Sequence, residues 1–81
     1  MNTERIQLKG QLVEAKSKFK NLDMEASGLI VLLRTYLNPF EEDLTKIETE
    51  KILSSANRLN KIIAELKTAK KKVEDLEAYF E

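Results

Sequence analysis

Acidic side chains follow one another at Glu41, Glu42 and Asp43. Clusters of carboxylate oxygens can ligate a divalent cation, but a calcium loop alternates its acidic residues and needs a turn glycine, and this triplet has neither feature. Acidic residues are also favoured near helix N-termini, because the positive end of the helix dipole lies there. We therefore interpret the triplet as a helix-capping segment and predict no metal site.

Neither histidine nor cysteine occurs in the 81 residues. Their absence removes the commonest metal ligand and proton shuttle, thiol nucleophiles, thiolate metal sites and disulfides. Acid–base catalysis by paired carboxylates needs an apolar or enclosed setting, whereas the pattern described below places every acidic residue on the outside. The sequence therefore predicts no catalytic residue, no cofactor, no small-molecule substrate and no enzymatic activity.

Lysines form two short runs that could contact an anion or a nucleic acid. The runs consist of Lys16, Lys18 and Lys20, and of Lys67, Lys70, Lys71 and Lys72. Such a band could follow a phosphate backbone with strongly salt-dependent binding, although it contains no arginine, the side chain favoured for phosphate recognition. The whole chain is balanced, with 14 basic and 14 acidic residues. Three interpretations stay open, in decreasing order of weight: a solvated helix surface, docking to an acidic protein surface, and binding of nucleic acid.

Two series of apolar residues recur in alternating steps of three and four, the period of a coiled-coil seam. The first is Leu8, Leu12, Ala15, Phe19, Leu22, Ala26, Leu29, Leu33 and then Tyr36 or Leu37. The second is Ile52, Ala56, Leu59, Ile62, Leu66, Ala69, Val73, Leu76 and Phe80. The second series has one irregularity, two successive steps of three around Leu59 and Ile62, which would overwind the supercoil locally.

The two series match each other as antiparallel partners. From Leu8 with Phe80 onward, partners across the seam have a constant sum of residue numbers, and only Leu33 with Ala56 departs from it, by one. Several of these layers set a large side chain against alanine, which fills space without voids. The sequence therefore predicts an all-α fold, a long antiparallel two-helix coiled-coil hairpin that forms a single domain over residues 1–81.

The chain reverses between the two series. Asn38 and Pro39 end the first helix, because a residue before proline is biased away from helical geometry, and Thr45 to Glu48 has the spacing of a capping box. Phe40, Leu44 and Ile47 are expected to cover the end of the hairpin. The predicted bounds are about 3–37 for the first helix, 38–45 for the turn with a short helical segment at 39–43, and about 46–80 for the second helix.

Apolar residues outside the seam concentrate near the turn, and they are the predicted oligomer or partner interface. The interface residues are Met24, Gly28, Ile30, Val31, Tyr36, Leu53 and Ile63. A contiguous exposed apolar surface usually marks an interaction site, so we expect two hairpins to dimerise into a four-helix assembly, with another helical protein as a further partner. The alternative is a monomer in which 39–43 folds back over these residues.

Four segments resemble small helical proteins of Mu-like transposable prophages. They are Glu4-Arg5-Ile6-x-Leu8-Lys9, Gly28-Leu29-Ile30-x-x-Leu33-Arg34, Leu37-x-Pro39-Phe40-Glu41 and Ile47-Glu48-Thr49-Glu50. The resemblance spans nearly the whole chain and implies a phage or prophage origin. Members of that group have no assigned activity, so the resemblance implies no functional site.

No apolar segment follows a basic start at the N-terminus, and the densest apolar run, Leu29 to Leu33, is far shorter than the ~20 residues needed to span a bilayer. We therefore expect a cytoplasmic protein without membrane contact. The function expected from all these features is a non-enzymatic protein–protein interaction or structural module. The alternative is a small DNA-associated accessory protein of a mobile element that uses the lysine band.

Overall fold

Two antiparallel helices form almost the whole protein in the computed structural model, which describes residues 3–81. Helix α1 spans Thr3–Tyr36, a 3₁₀ turn spans Leu44–Lys46, and helix α2 spans Thr49–Phe80. The two helices pack along their length into a rod of 67 × 17 × 14 Å. The predicted all-α helical hairpin is confirmed. No helix within residues 3–81 is long and apolar enough to cross a membrane.

The seam between the helices is built from the predicted heptad positions. Within residues 3–81, full burial is reached only at Ala15, Ala26, Ile62 and Ala69, and the other seam residues are half-buried because each helix has a single neighbour. Ile62 is the most buried large side chain, with 2% of its surface exposed, and its register partner Ala26 has 3% exposed. The small residue lets the isoleucine enter the space between the backbones, which is how a two-helix core reaches native packing density.

One seam position differs from the prediction. Ser55 is half-buried, and Ala56 is exposed, so the seam runs through the serine. With Ser55 opposite Leu33, the constant sum of residue numbers holds without exception, and the expected overwinding near Leu59 is not required. The prediction was wrong because apolar Ala56 was preferred to polar Ser55, although Ser55 stands at the periodic position and Ala56 lies one residue beyond it. The first series ends at half-buried Tyr36, opposite Ile52, and Leu37 is exposed.

The connection between the helices is less helical than predicted. Residues 39–43 form no helix, and α2 begins at Thr49, about one turn later than expected. Asn38 begins a turn directly after α1, since its Oδ1 accepts a hydrogen bond from the Phe40 amide at 3.0 Å. The capping-box prediction at Thr45 was wrong, because Asp43 caps the 3₁₀ turn by accepting from the Thr45 amide, and Glu48 stands at the N-cap of α2 without a side-chain cap bond.

The expected hydrophobic plug at the end of the hairpin is also absent from the described residues. Phe40 is 87% exposed and Leu44 is 73% exposed, while only Ile47 is half-buried. A loop with irregular backbone cannot place successive side chains on one face as a helix does. The turn end of the rod therefore carries exposed apolar side chains.

Candidate interaction surface

Two ion pairs between the helices identify the two sides of the seam. On one side Lys16 Nζ lies 3.9 Å from a Glu77 carboxylate oxygen. On the other side Arg58 binds Glu25 through Nε at 3.1 Å and through a second contact from Nη2 to the same oxygen. In an antiparallel pair, the residues next to the seam on each side also keep a constant sum of residue numbers, so these two contacts fix the register of every other flanking residue.

We name the sides by one residue each. On the Ile30 flank, the residues next to the seam are Lys9, Lys16, Asp23, Ile30 and Leu37 of α1 and Ala56, Ile63, Lys70 and Glu77 of α2. On the Glu25 flank, the residues next to the seam are Gln11, Lys18, Glu25 and Leu32 of α1 and Lys51, Arg58, Glu65 and Lys72 of α2.

The Glu25 flank is closed by polar contacts near the turn. The Glu25 carboxylate raises the pKa of Arg58, mainly by accepting its hydrogen bonds and also by its charge. Further toward the turn, Lys51 lies 3.0 Å from a Glu48 oxygen and 5.9 Å from the centre of the Tyr36 ring. The hydrogen bond to Glu48 is the main cause that raises the pKa of Lys51. These contacts cover Tyr36 and leave the flank with a charged exterior.

The Ile30 flank is apolar over the same stretch. The register places Ile30 opposite Ile63 and Leu37 opposite Ala56, a row of four apolar residues without a charge. The next row outward on this side holds Arg34 of α1 and Leu53 of α2, and Leu53 is 64% exposed. Val31 follows Ile30 on the outer face of α1 and is 62% exposed. We call the four residues of the apolar row, Val31 and Leu53 the Ile30 patch. The heptad pattern explains the patch, because the position next to the seam on the Ile30 side is apolar in two successive heptads of each helix.

The predicted interface residues divide between the two sides. Ile30, Val31, Leu53 and Ile63 belong to the Ile30 patch. Met24 is 62% exposed on the same outer row of α1 as Val31 and extends the patch toward the open end. The two other predicted residues do not join them.

Tyr36 belongs to the seam, and Gly28 lies on the outer side of the Glu25 flank by the helical period. A Cβ added to Gly28 would meet no atom within 4 Å, so no close helix approach within the hairpin requires this glycine. The sequence prediction also missed Leu37 and Ala56, which were assigned as seam candidates. Correct placement of Ser55 in the seam would have moved both of them to the flank.

The connecting loop lies beside the Ile30 patch and does not cover it. Val31, Leu37 and Phe40 line one open recess on this part of the surface, together with Arg34, Thr35 and Pro39. Phe40 points largely into solvent, and Val31 stays exposed. A monomer in which 39–43 folds back over the patch is therefore contradicted. Instead, the loop adds an aromatic side chain to the edge of the apolar surface.

The seven predicted lysines surround the rod rather than forming one face. Lys16 and Lys70 lie on the Ile30 flank, with Lys20 and Lys67 in the next row outward on that side. Lys18 and Lys72 lie on the Glu25 flank, and Lys71 lies on the outer face of α2, where it pairs with Asp75 at 3.5 Å. Four lysines thus share a side with the Ile30 patch, at the same height in both helices. We call these four the Ile30-side lysines.

The acidic triplet is used in the turn. Glu41 accepts a hydrogen bond from the Asp43 amide at 3.1 Å, and Asp43 accepts from the Thr45 amide at 3.0 Å and from its hydroxyl at 2.6 Å. The hydroxyl bond is the main cause that lowers the pKa of Asp43, with the amide bond second. Within residues 3–81, acidic side chains form no group of three or more that could hold a metal ion.

Comparison with protein-family models, with curated proteins and with solved structures finds no match to this chain. The resemblance to prophage proteins therefore stays an expectation.

Proposed function

We propose that this chain is a non-enzymatic protein–protein interaction module that binds helical partners through the Ile30 patch and associates with itself there. The observation that supports this proposal is the uncharged row of Ile30, Ile63, Leu37 and Ala56 on one flank, beside exposed Val31 and Leu53. Burial of apolar surface contributes about 25 cal/mol per Å². Contact of a second helical surface with this patch would therefore release more free energy than contact elsewhere on the rod.

The energetics of a lone hairpin also favour association. Two helices that share a single seam bury little surface, and the gain from burial in small domains is nearly cancelled by about 1.5 kcal/mol of ordering entropy per residue. Here only four residues of the described chain are fully buried, and three of them are alanines. Contact with another helical surface would convert the exposed apolar residues of the patch into core.

The test compares two substitutions of matched exposure on opposite flanks. Ile30 is 46% exposed on the Ile30 flank, and Leu32, two residues further along α1, is 44% exposed on the Glu25 flank. Sedimentation equilibrium at tens of micromolar should show association of the native chain. Ile30→Glu should associate at least about 100-fold more weakly, because a charge would be buried on each side of the contact. Leu32→Glu should associate about as strongly as the native chain.

The native chain, Ile30→Glu and Leu32→Glu can also be used to capture partners from a lysate of the organism that encodes the chain. Partners that bind the native chain and Leu32→Glu but not Ile30→Glu would support an interaction module with a heterologous partner. A native chain that is monomeric and captures the same proteins as Ile30→Glu would overturn the proposal. Recovery of phage or prophage proteins would support the phage or prophage origin that the sequence resemblance implies.

A small DNA-associated accessory protein is the second candidate, and the four Ile30-side lysines favour it. Against it, Lys16 already pairs with Glu77 and Lys71 with Asp75, and the other lysines of the two runs are distributed around the rod. Binding to duplex DNA at low ionic strength, with affinity that falls steeply as salt is added, would support this candidate. Absence of binding at low salt would eliminate it.

A further inference from the structure

We propose that the partner on the Ile30 patch is a second copy of this chain in antiparallel orientation, with the acidic turn of each copy against the Ile30-side lysines of the other. This inference rests on the proposed function and adds to its self-association the antiparallel direction and the charged contacts between the two copies. Three features of the described residues support it: the order of the apolar row, the position of the charges on either side of that row, and the length of the resulting contact.

The apolar row is complementary to itself when reversed. Along the rod toward the turn, its residues follow in the order Ile63, Ile30, Ala56 and Leu37, as the register of the two helices requires. A two-fold axis at the centre of the row sets Ile30 against Ala56 of the second copy and Ile63 against its Leu37. Each layer then combines a larger side chain with a smaller one or joins two branched side chains of similar size, which is the arrangement that packs without voids.

Opposite charges lie on the two sides of this centre. Lys20 is ten residues from Ile30 toward the open end, about 15 Å along a helix, and Lys67 lies beside it in the register. In the other direction α1 ends at Tyr36, about 9 Å beyond Ile30, and the loop with Glu42 projects further. Reversal about the two-fold axis therefore places the acidic loop of one copy at the height of the lysines of the other.

The acidic end has the charge this contact requires. Residues 38–50 contain Glu41, Glu42, Asp43, Glu48 and Glu50 against Lys46 as the only basic residue. Glu42 and Glu50 are exposed, and neither belongs to an ion pair within the described residues. On the other side, Lys20 and Lys67 are exposed without an ion pair within residues 3–81. These side chains can therefore engage the second copy without losing a contact in the hairpin.

Parallel association is disfavoured by the same charges. A parallel pair joined through the Ile30 patch would set lysines beside lysines and the two acidic loops beside each other. Like charges in an interface oppose association and select against the wrong arrangement. The charge pattern thus distinguishes the two directions even though the apolar row alone fits both.

The antiparallel overlap has the size of a stable interface. From the Ile30-side lysines to the tip of the loop, the overlap runs for about 40 Å at 1.5 Å per helical residue. On a rod 17 Å wide, this covers roughly 700 Å² of each copy, close to the ~800 Å² per partner of a standard specific interface.

Spin-label distances test the direction. The chain contains no cysteine, so Lys9→Cys provides one labelling site, on the Ile30 flank but outside the proposed overlap. In the antiparallel dimer the two labels should lie about 65 Å apart, from the 1.5 Å rise per residue on either side of the axis. In a parallel dimer they would lie within about 20 Å, which is the width of two adjacent helical rods. Lys9→Cys combined with Ile30→Glu is the control and should show no dipolar coupling.

The outcomes separate this inference from the proposed function. A distance near 65 Å that disappears with Ile30→Glu supports the antiparallel dimer. A short distance that disappears with the same substitution overturns the inference and leaves the interaction module standing. A monomeric chain whose capture of another helical protein depends on Ile30 has the same consequence. A distance that Ile30→Glu leaves unchanged overturns both, because association would then use another surface.

Discussion

The two flanks of the hairpin share one seam and one register, yet they present different surfaces over the same stretch of the rod. On the Glu25 flank the turn half carries the Glu25–Arg58 pair and Lys51 over the Tyr36 ring. On the Ile30 flank the corresponding positions hold Ile30, Ile63 and their apolar neighbours. The difference arises from the residues beside the seam, since the seam itself serves both sides equally.

The fold and the character of the exposed surface are therefore encoded at separate heptad positions. The seam residues determine that a hairpin forms and with which register. The flanking residues determine which side stays in water and which side has apolar surface to bury. Substitutions at the two kinds of position should therefore produce separable defects, one in folding and one in association.

The largest effect is expected from shortening a seam residue next to a flank residue of the same type. Ile62 is 2% exposed, and adjacent Ile63 is half-buried on the Ile30 flank. Ile62→Ala should lower the free energy of unfolding by about 2–5 kcal/mol, because it removes buried methylene groups and leaves a cavity. Urea denaturation followed by circular dichroism measures the change.

Ile63→Ala is the matched control for that experiment. We expect it to lower the free energy of unfolding of the isolated hairpin by less than about 1.5 kcal/mol, since part of the side chain is already in water. Its main effect should be on association through the Ile30 patch, measured by sedimentation. Equal losses of hairpin stability for the two substitutions would contradict the division between seam and flank.

A smaller effect is expected from reversing charges on one flank at a time. Lys20→Glu with Lys67→Glu changes the lysines beside the Ile30 patch, and Lys18→Glu with Lys72→Glu makes the same change in net charge on the Glu25 flank. The first pair should weaken self-association at least about tenfold at low salt, because each new carboxylate would meet the acidic turn of the other copy. The second pair should weaken it by less than about threefold, through net charge alone.

Salt provides the internal check on this comparison. At an ionic strength of 1 M the screening length falls to about 3 Å, so the two charge-reversed proteins should associate with similar strength. Melting curves recorded by circular dichroism confirm that both hairpins stay folded. If both pairs weaken association equally at low salt, the acidic turn does not meet the Ile30-side lysines.

Ser55 offers a way to strengthen the seam without touching either flank. It is a polar residue at a half-buried seam position opposite Leu33. Ser55→Ala should raise the free energy of unfolding by about 0.5 kcal/mol, mainly because alanine has the higher helix propensity. The neighbouring Ala56→Ser should lower it by a similar amount for the same reason, and it also puts a hydroxyl into the Ile30 patch. A loss for Ala56→Ser that clearly exceeds the gain for Ser55→Ala in urea denaturation would indicate that Ala56 is the seam residue, because the new hydroxyl would then be buried.

The error at Ser55 shows where the sequence was sufficient and where it was not. Periodicity and the constant sum predicted the hairpin, its register and most of the seam, because these depend on many residues that agree. A single polar residue at a seam position misled the prediction locally, and with it the flank assignments of Leu37 and Ala56. Periodicity could not predict the conformation of the loop, since hydrogen bonds of Asn38 and Asp43 determine it.

The smallest effect is expected at the ion pair that closes the opposite flank. Glu25→Gln removes one charge from the pair with Arg58 but keeps an oxygen that accepts the guanidinium hydrogen bond. Both partners are exposed, at 43% and 60% of their side-chain surface, and exposed pairs contribute little because water and salt screen them. The melting temperature should fall by no more than about 3 °C at low salt, and self-association should be unchanged. A loss of association as large as that of Ile30→Glu would show that the Glu25 flank is the contact surface, because the Ile30 patch is untouched in this variant.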